Sequence, residues 1–185
     1  MSGVYRRSAV RSDMPMTYYR KNKEWRERFM GKKFLVAFDD SENAIRAVEF
    51  LANTFAPEHR VTLFSVLQDT AALCDMNSPE LTPYFQQQQQ SFCTLEEKKK
   101  SLLTSALEQA KDILIRAGFS EENIDIKLDF KSKGVARDIV IEAANGYDLI
   151  VLGRRGVSGI REFFFGSVSQ KVLHSAGNVS ILVIN

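Results

Sequence analysis

The chain is poor in the residues that most often announce chemistry. Its 185 residues include only two cysteines, Cys74 and Cys93, and two histidines, His59 and His174. The cysteines form no CxxC pair and are too few for a disulfide framework or a zinc site, so both are read as free thiols. Two histidines leave little for a metal centre, because catalytic zinc usually takes two or three. Neither histidine sits in a nucleophile-elbow context, which removes the familiar Ser-His-Asp arrangement. There is no run of about 18 apolar residues, so no transmembrane segment is expected. Residues 1–30 also lack an apolar h-region, do not read as a secretory signal, and leave a cytoplasmic location as the expectation.

Charge is scarce in a different sense. The net value of +2 hides two opposed parts. Residues 1–30 carry eight Lys/Arg against three acids, net +5, which leaves 17 basic and 20 acidic residues, net −3, in the remainder. By composition, residues 31–185 do not form a basic nucleic-acid binder. Residues 1–30 read as a solvated, flexible basic extension preceding one domain over 31–185.

What is present is a regular alternation. Lys33–Phe38, Val61–Val66 and Asp148–Leu152 are short apolar runs of the kind that make buried strands. Ile124–Phe130 alternates polar with apolar, as a half-exposed strand does, and Val179–Ile184 is the last strand. Between them, Ala44, Ile45, Ala47, Val48, Leu51 and Ala52 recur at helical spacing after Asp39-Asp40-Ser41, a helix-cap cluster in which Asp40 or Ser41 is the better cap. Residues 68–90 read as a long loop with Pro79, Pro83 and the tract Gln86–Gln90, which can also begin the next helix. A long amphipathic helix follows from Ser91 to Ala117, stopped by Gly118. Val135–Ala144 and Ser167–Ser175 read as shorter helices, with His174 in the last turn of the second, where a cation-capable side chain is favourable. Strands alternating with helices predict a parallel sheet covered on both faces, an α/β class.

In such a sheet, ligands bind beyond the carboxyl ends of the strands where strand order reverses. Gly153-Arg154-Arg155-Gly156 follows a strand directly, and Gly166-Ser167-Val168-Ser169 opens a helix. The spacing is Gly-x2-Gly-x9-Gly-Ser. Glycines let a backbone approach a ligand closely, helix N-termini attract anions, and serine hydroxyls add donors. Arg154, Arg155 and Arg161 add charge suited to phosphate. Either half alone is better explained by a tight turn or a capped helix. The pairing at this spacing is what points to a nucleotide. Phe163-Phe164-Phe165, inside the spacer, is read as packing beneath the loop.

These stretches resemble the universal stress protein family. The resemblance runs from Lys32 to Asn185 and is carried by FLVAFDDSENA, VTLFSV, YDLIVLGRRGVSGIREFFFGSVSQKVLHSA and VSILVI. It implies a three-layer α/β/α sandwich with a five-stranded parallel, open-twisted, Rossmann-like sheet in the order 3-2-1-4-5. It implies ATP, with or without Mg²⁺, as the ligand. Asp39 would lie under the nucleotide at its ribose, and Val66 would meet the adenine edge through its backbone. Gly153, Arg155, Gly156, Gly166, Ser167, Val168 and Ser169 would wrap the ribose and phosphates, with Ala37 as a further wall. A homodimer through the C-terminal edge strand is also implied. The family often has proline before the last strand, where this chain has Ser175-Ala176-Gly177-Asn178, a departure that bears on the dimer more than on the cleft.

Three functions remain open on these residues. The first is a nucleotide-binding regulator of stress response. The second is an enzyme that hydrolyses ATP slowly, although no Walker A lysine motif and no catalytic base can be named. The third is an interaction module that holds no nucleotide.

Overall fold

The computed structural model describes residues 31–76, 82–156 and 165–185. In chain order the elements are β1 (Lys33–Ala37), α1 (Glu42–Thr54), β2 (Arg60–Leu67), α2 (Ala71–Cys74) and α3 (Pro83–Arg116). A 3-10 turn (Glu121–Asn123) then leads to β3 (Ile124–Phe130), α4 (Val135–Ala143), β4 (Leu149–Gly153), α5 (Ser167–Ser175) and β5 (Ser180–Ile184). The five strands form one sheet in the order β3-β2-β1-β4-β5. Every pairing is parallel, with Phe34 opposite both Val61 and Leu149. The expected fold class and strand order are therefore observed.

The sheet is filled from both faces. On one, Phe34, Val36, Val61, Leu63 and Val151 meet α1 and α3. On the other, Leu35, Phe64, Ile150 and Leu152 meet α4 and α5. The alternation within β1 decides which side each residue serves, because successive strand residues point to opposite faces. Helix α1 presents Ala44, Ala47, Val48 and Leu51, all buried, along one stripe. Its N-cap is Ser41, whose Oγ accepts from Ala44 N at 3.2 Å.

Helix α3 departs from the expectation of a start near Ser91. It begins at Pro83, with Thr82 as N-cap accepting from Phe85 N at 3.3 Å. Proline at the first helical position lacks only a donor that would be unsatisfied anyway, so Thr82-Pro83 is a start signal rather than loop chemistry. The glutamine tract is helical. The C-terminus closes as a Schellman motif, with Gly118 N donating to Ile115 O at 2.9 Å and Phe119 N to Leu114 O at 3.1 Å. Only Leu107, Ala110 and Leu114 of this helix are fully buried.

The cysteines also depart from expectation. Cys74 and Cys93 form a disulfide, and the described residues include no free thiol. With α3 starting at Pro83, Cys93 falls in its third turn rather than its first. There it lies against α2, which ends at Cys74. No helix among the described residues is long and apolar enough to cross a membrane. The basic residues 1–30 lie outside the described part of the chain.

The amino-terminal end of the sheet is closed by polar bonds. Lys32 Nζ pairs with Asp148 at 2.8 Å, and Lys33 N donates to the same carboxylate at 2.9 Å. Lys32 N donates to His59 Nδ1 at 3.0 Å. Nearby, Glu142 is buried and accepts from Lys127 Nζ at 2.6 Å, Tyr147 OH at 2.9 Å and Asn145 Nδ2 at 2.9 Å. Burial pushes the Tyr147 phenol up to about 12, and its carboxylate partner adds to the rise while Thr62 opposes it.

Candidate nucleotide site

Strand order reverses between β2 and β4 on either side of β1, so the connections leaving β1 and β4 part and open a cleft at their carboxyl ends. The floor comes from β1 and β2, through Ala37, Asp39, Phe64 and Val66. The walls are the loop Gly153–Gly156 and the start of α5, Gly166 to Ser169. Arg155 also lines the cleft, so all ten residues singled out from the sequence border one cavity. Arg154 is not among the lining residues. Arg161 and the aromatic pair Phe163-Phe164 lie outside the described residues.

The apolar side of the cleft was not anticipated. Phe38, Val135, Ile139 and Leu152 line it as well. Ile139 and Val135 come from α4, whose inward stripe could have been projected onto the sheet from its helical spacing. The enclosed volume is about 160 Å³. Pockets that swallow a whole ligand start at roughly 300 Å³, so this cavity has room for part of a nucleotide-sized molecule.

The loop is held so that its carbonyls face the protein. Gly153 O accepts from Ser169 Oγ at 2.8 Å, Arg154 O from Gly166 N at 2.9 Å, and Arg155 O from Asn43 Nδ2 at 3.0 Å. Three successive oxygens that would repel an anion are thus occupied. Helix α5 opens on Gly166, whose carbonyl takes the first helical bond from Gln170 N at 2.9 Å. The N–H groups of Ser167, Val168 and Ser169 fall in the first turn, where helices leave donors for an anion. Ser169 is buried, and its hydroxyl is already spent on Gly153, so it positions the loop. Asn43, absent from the sequence expectation, has the same task from the first turn of α1.

Two glycines mark close approaches. A Cβ on Gly156 would stand 2.1 Å from Asp39 Oδ2, so the loop passes directly over that carboxylate. A Cβ on Gly153 would meet the Asn43 backbone at 2.9 Å. Asp39 accepts from Ser41 Oγ at 2.6 Å, which fixes its carboxylate on the cleft floor while Ser41 caps α1. Asp40 has a left-handed backbone, φ 52, and its carboxyl is pushed up, first by burial and then by the Asp39 charge. No group of three or more His, Cys, Asp or Glu among the described residues could hold a metal ion.

The model of the universal stress protein family matches residues 30–185, all of the chain beyond the first 29 residues. The chain belongs to the universal stress protein family. A relative, the universal stress protein YxiE of Bacillus subtilis, is 31% identical over 144 residues, covering 77% of this chain and 92% of the relative. Among solved structures, the universal stress protein UspA from Lactobacillus plantarum superposes with a TM-score of 0.58 at 22% identity, over 83% of this chain and 97% of that one. A universal stress protein in complex with cAMP superposes with a TM-score of 0.52 at 18% identity, over 83% and 96% of the two chains. At these identities the two structures speak for the fold.

Proposed function

We propose that this universal stress protein binds an adenine nucleotide, ATP with or without Mg²⁺, at the cleft, and acts as a regulatory binder in the cytoplasm. The observation that carries the reading is the close pass of Gly156 over Asp39, beside the first turn of α5. A Cβ at position 156 would collide with that carboxylate, so glycine is what lets the loop close down on the cleft floor while Asp39 still lines the cleft. Asp39 can accept from ribose hydroxyls there. The apolar wall of Phe64, Val66, Val135 and Ile139 suits a flat base, and the amides of Ser167 and Val168 suit phosphate oxygens. The cAMP bound by a protein of the same fold supports the nucleotide class.

The ligand is tested by denaturing freshly purified protein and separating the released small molecules beside ATP, ADP, AMP and cAMP standards. Stoichiometric ATP is the expected result. Absence of any nucleotide, together with no thermal shift in millimolar Mg-ATP, would overturn the reading. The same reading includes a homodimer through β5, an edge strand whose Ile181, Leu182, Val183 and Ile184 are only half-buried. A monomer in sedimentation at micromolar concentration would remove that part.

A further inference from the structure

Helix α3 has 34 residues, about 51 Å at 1.5 Å per residue, which is far longer than the strands it crosses. Only its second half belongs to the core. Leu103 is the first of its residues to pack against a core cluster, and Leu107 is the first to be fully buried. Residues 83–102 contribute to neither cluster. Yet this half carries Tyr84, Phe85, Phe92, Leu95 and Leu102, all large, apolar and exposed.

What joins this half to the rest of the molecule is α2. The amide of Gln89 donates to Leu73 O at 2.5 Å and to Met76 O at 2.9 Å, and Cys93 is bonded to Cys74. Helix α2 itself has four residues and none is buried, so no core packing holds it in place. Both cysteines are half-buried and outside the core clusters. Opening their bond therefore requires no disruption of the sheet or of the helices packed on it.

We propose that Cys74–Cys93 is a reversible thiol–disulfide site that fastens the first half of α3 to α2, and that its reduction releases this half from α2. The partner in the reaction is a dithiol donor. Its thiolate attacks one sulfur and breaks the Cys74–Cys93 bond, giving a mixed disulfide and one protein thiol. The donor's second thiol resolves the mixed disulfide. Two electrons and two protons end on the Cys74 and Cys93 sulfurs, and the donor leaves as its own disulfide. Once the bond is open, the hydrogen bonds that tie residues 83–102 to α2 among the described residues are the two from Gln89. A helix of that length with little packing is marginal in water, so it frays. The site is independent of what the cleft binds.

The full chain is first treated with iodoacetamide in native buffer and weighed intact. No adduct is expected. After dithiothreitol without denaturant, two adducts are expected, one on each cysteine. Hydrogen exchange is then compared between the two forms. Reduction should speed exchange over residues 83–102 at least tenfold and leave residues 103–116 and the strands unchanged. The C74S/C93S double variant should reproduce the reduced pattern with no reductant present. Two adducts before reduction would overturn the proposal, as would a bond that dithiothreitol opens only in denaturant. Unchanged exchange over 83–102 after reduction would overturn it equally.

Discussion

The two ends of the sheet are built from the same strands but place their acidic side chains differently. At the amino-terminal end Asp148 and Glu142 each hold a lysine and further donors. Burial pushes Asp148 and Glu142 up, but Lys32 and the Lys33 N–H at one, and Lys127, Tyr147 and Asn145 at the other, reverse this and hold both below the ordinary carboxylate range. At the carboxyl end Asp138 is likewise satisfied, by the Ser132 and Lys133 N–H groups, but Asp39 and Asp40 stand side by side, and Asp40 is raised by burial and by its neighbour. One end spends its charges on closing the fold. The other keeps like charges together beside a cleft, an arrangement more often met at functional sites than in purely structural ones.

Glycine divides in the same way, and the largest expected effect tests that division. Gly156→Ala places a Cβ 2.1 Å from the end of the Asp39 side chain, which can swing aside. The fold should tolerate it, with little change in Tm. Nucleotide affinity, measured by calorimetric titration, should fall about 100-fold or more, roughly 2.7 kcal/mol. If affinity survives, the cleft floor has been misassigned.

The matching change at the other end should have the inverse outcome. A Cβ on Gly31 would lie 1.7 Å from Glu58 O, a backbone atom that cannot swing. Gly31→Ala should cost about 2 kcal/mol of stability in urea titration, within the usual range for overpacking, and leave nucleotide affinity unchanged.

Glu142→Ala sharpens the comparison through pH. It strips an acceptor from three donors and should cost about 1–2 kcal/mol at neutral pH. Because the Glu142 carboxyl is held below its ordinary value of 4.5, its contribution is complete above that value and drains away as the pH falls through the lower, folded-state value. The difference in Tm between the native chain and the variant should therefore shrink on acidification below pH 4.5, not above it.

Asp40→Asn should show the smallest effect and the opposite sign. A carboxyl raised in the folded state disfavours folding when ionised, so removing its charge should raise Tm slightly at pH 7. The gain should vanish once the pH falls below its ordinary value of 3.8, where both states are protonated. Asparagine tolerates the left-handed backbone at this position, so the substitution isolates charge from conformation.

Much of this was legible in the residues. The runs around Leu35, Leu63 and Val151 and the stripe Ala44–Leu51 specify strands and a helix through neighbours a few positions away, and caps such as Ser41 act across three residues. Those interactions are short in sequence, so the alternation of elements and the Gly-x2-Gly-x9-Gly-Ser spacing could be read directly. The Thr82-Pro83 start of α3 is equally local, but Pro79 and Pro83 lie so close together that the segment also has the signature of a loop. The rest was decided only when the chain closed on itself. Asn43 reaching Arg155 spans 112 positions, and Tyr147 reaching Thr62 spans 85. The turn of the loop carbonyls toward the protein and the pairing of Cys74 with Cys93 likewise depend on how the elements pack. No local preference encodes such contacts. They exist because a parallel sheet returns distant segments to one end, and because packing on both faces leaves each segment one place to lie.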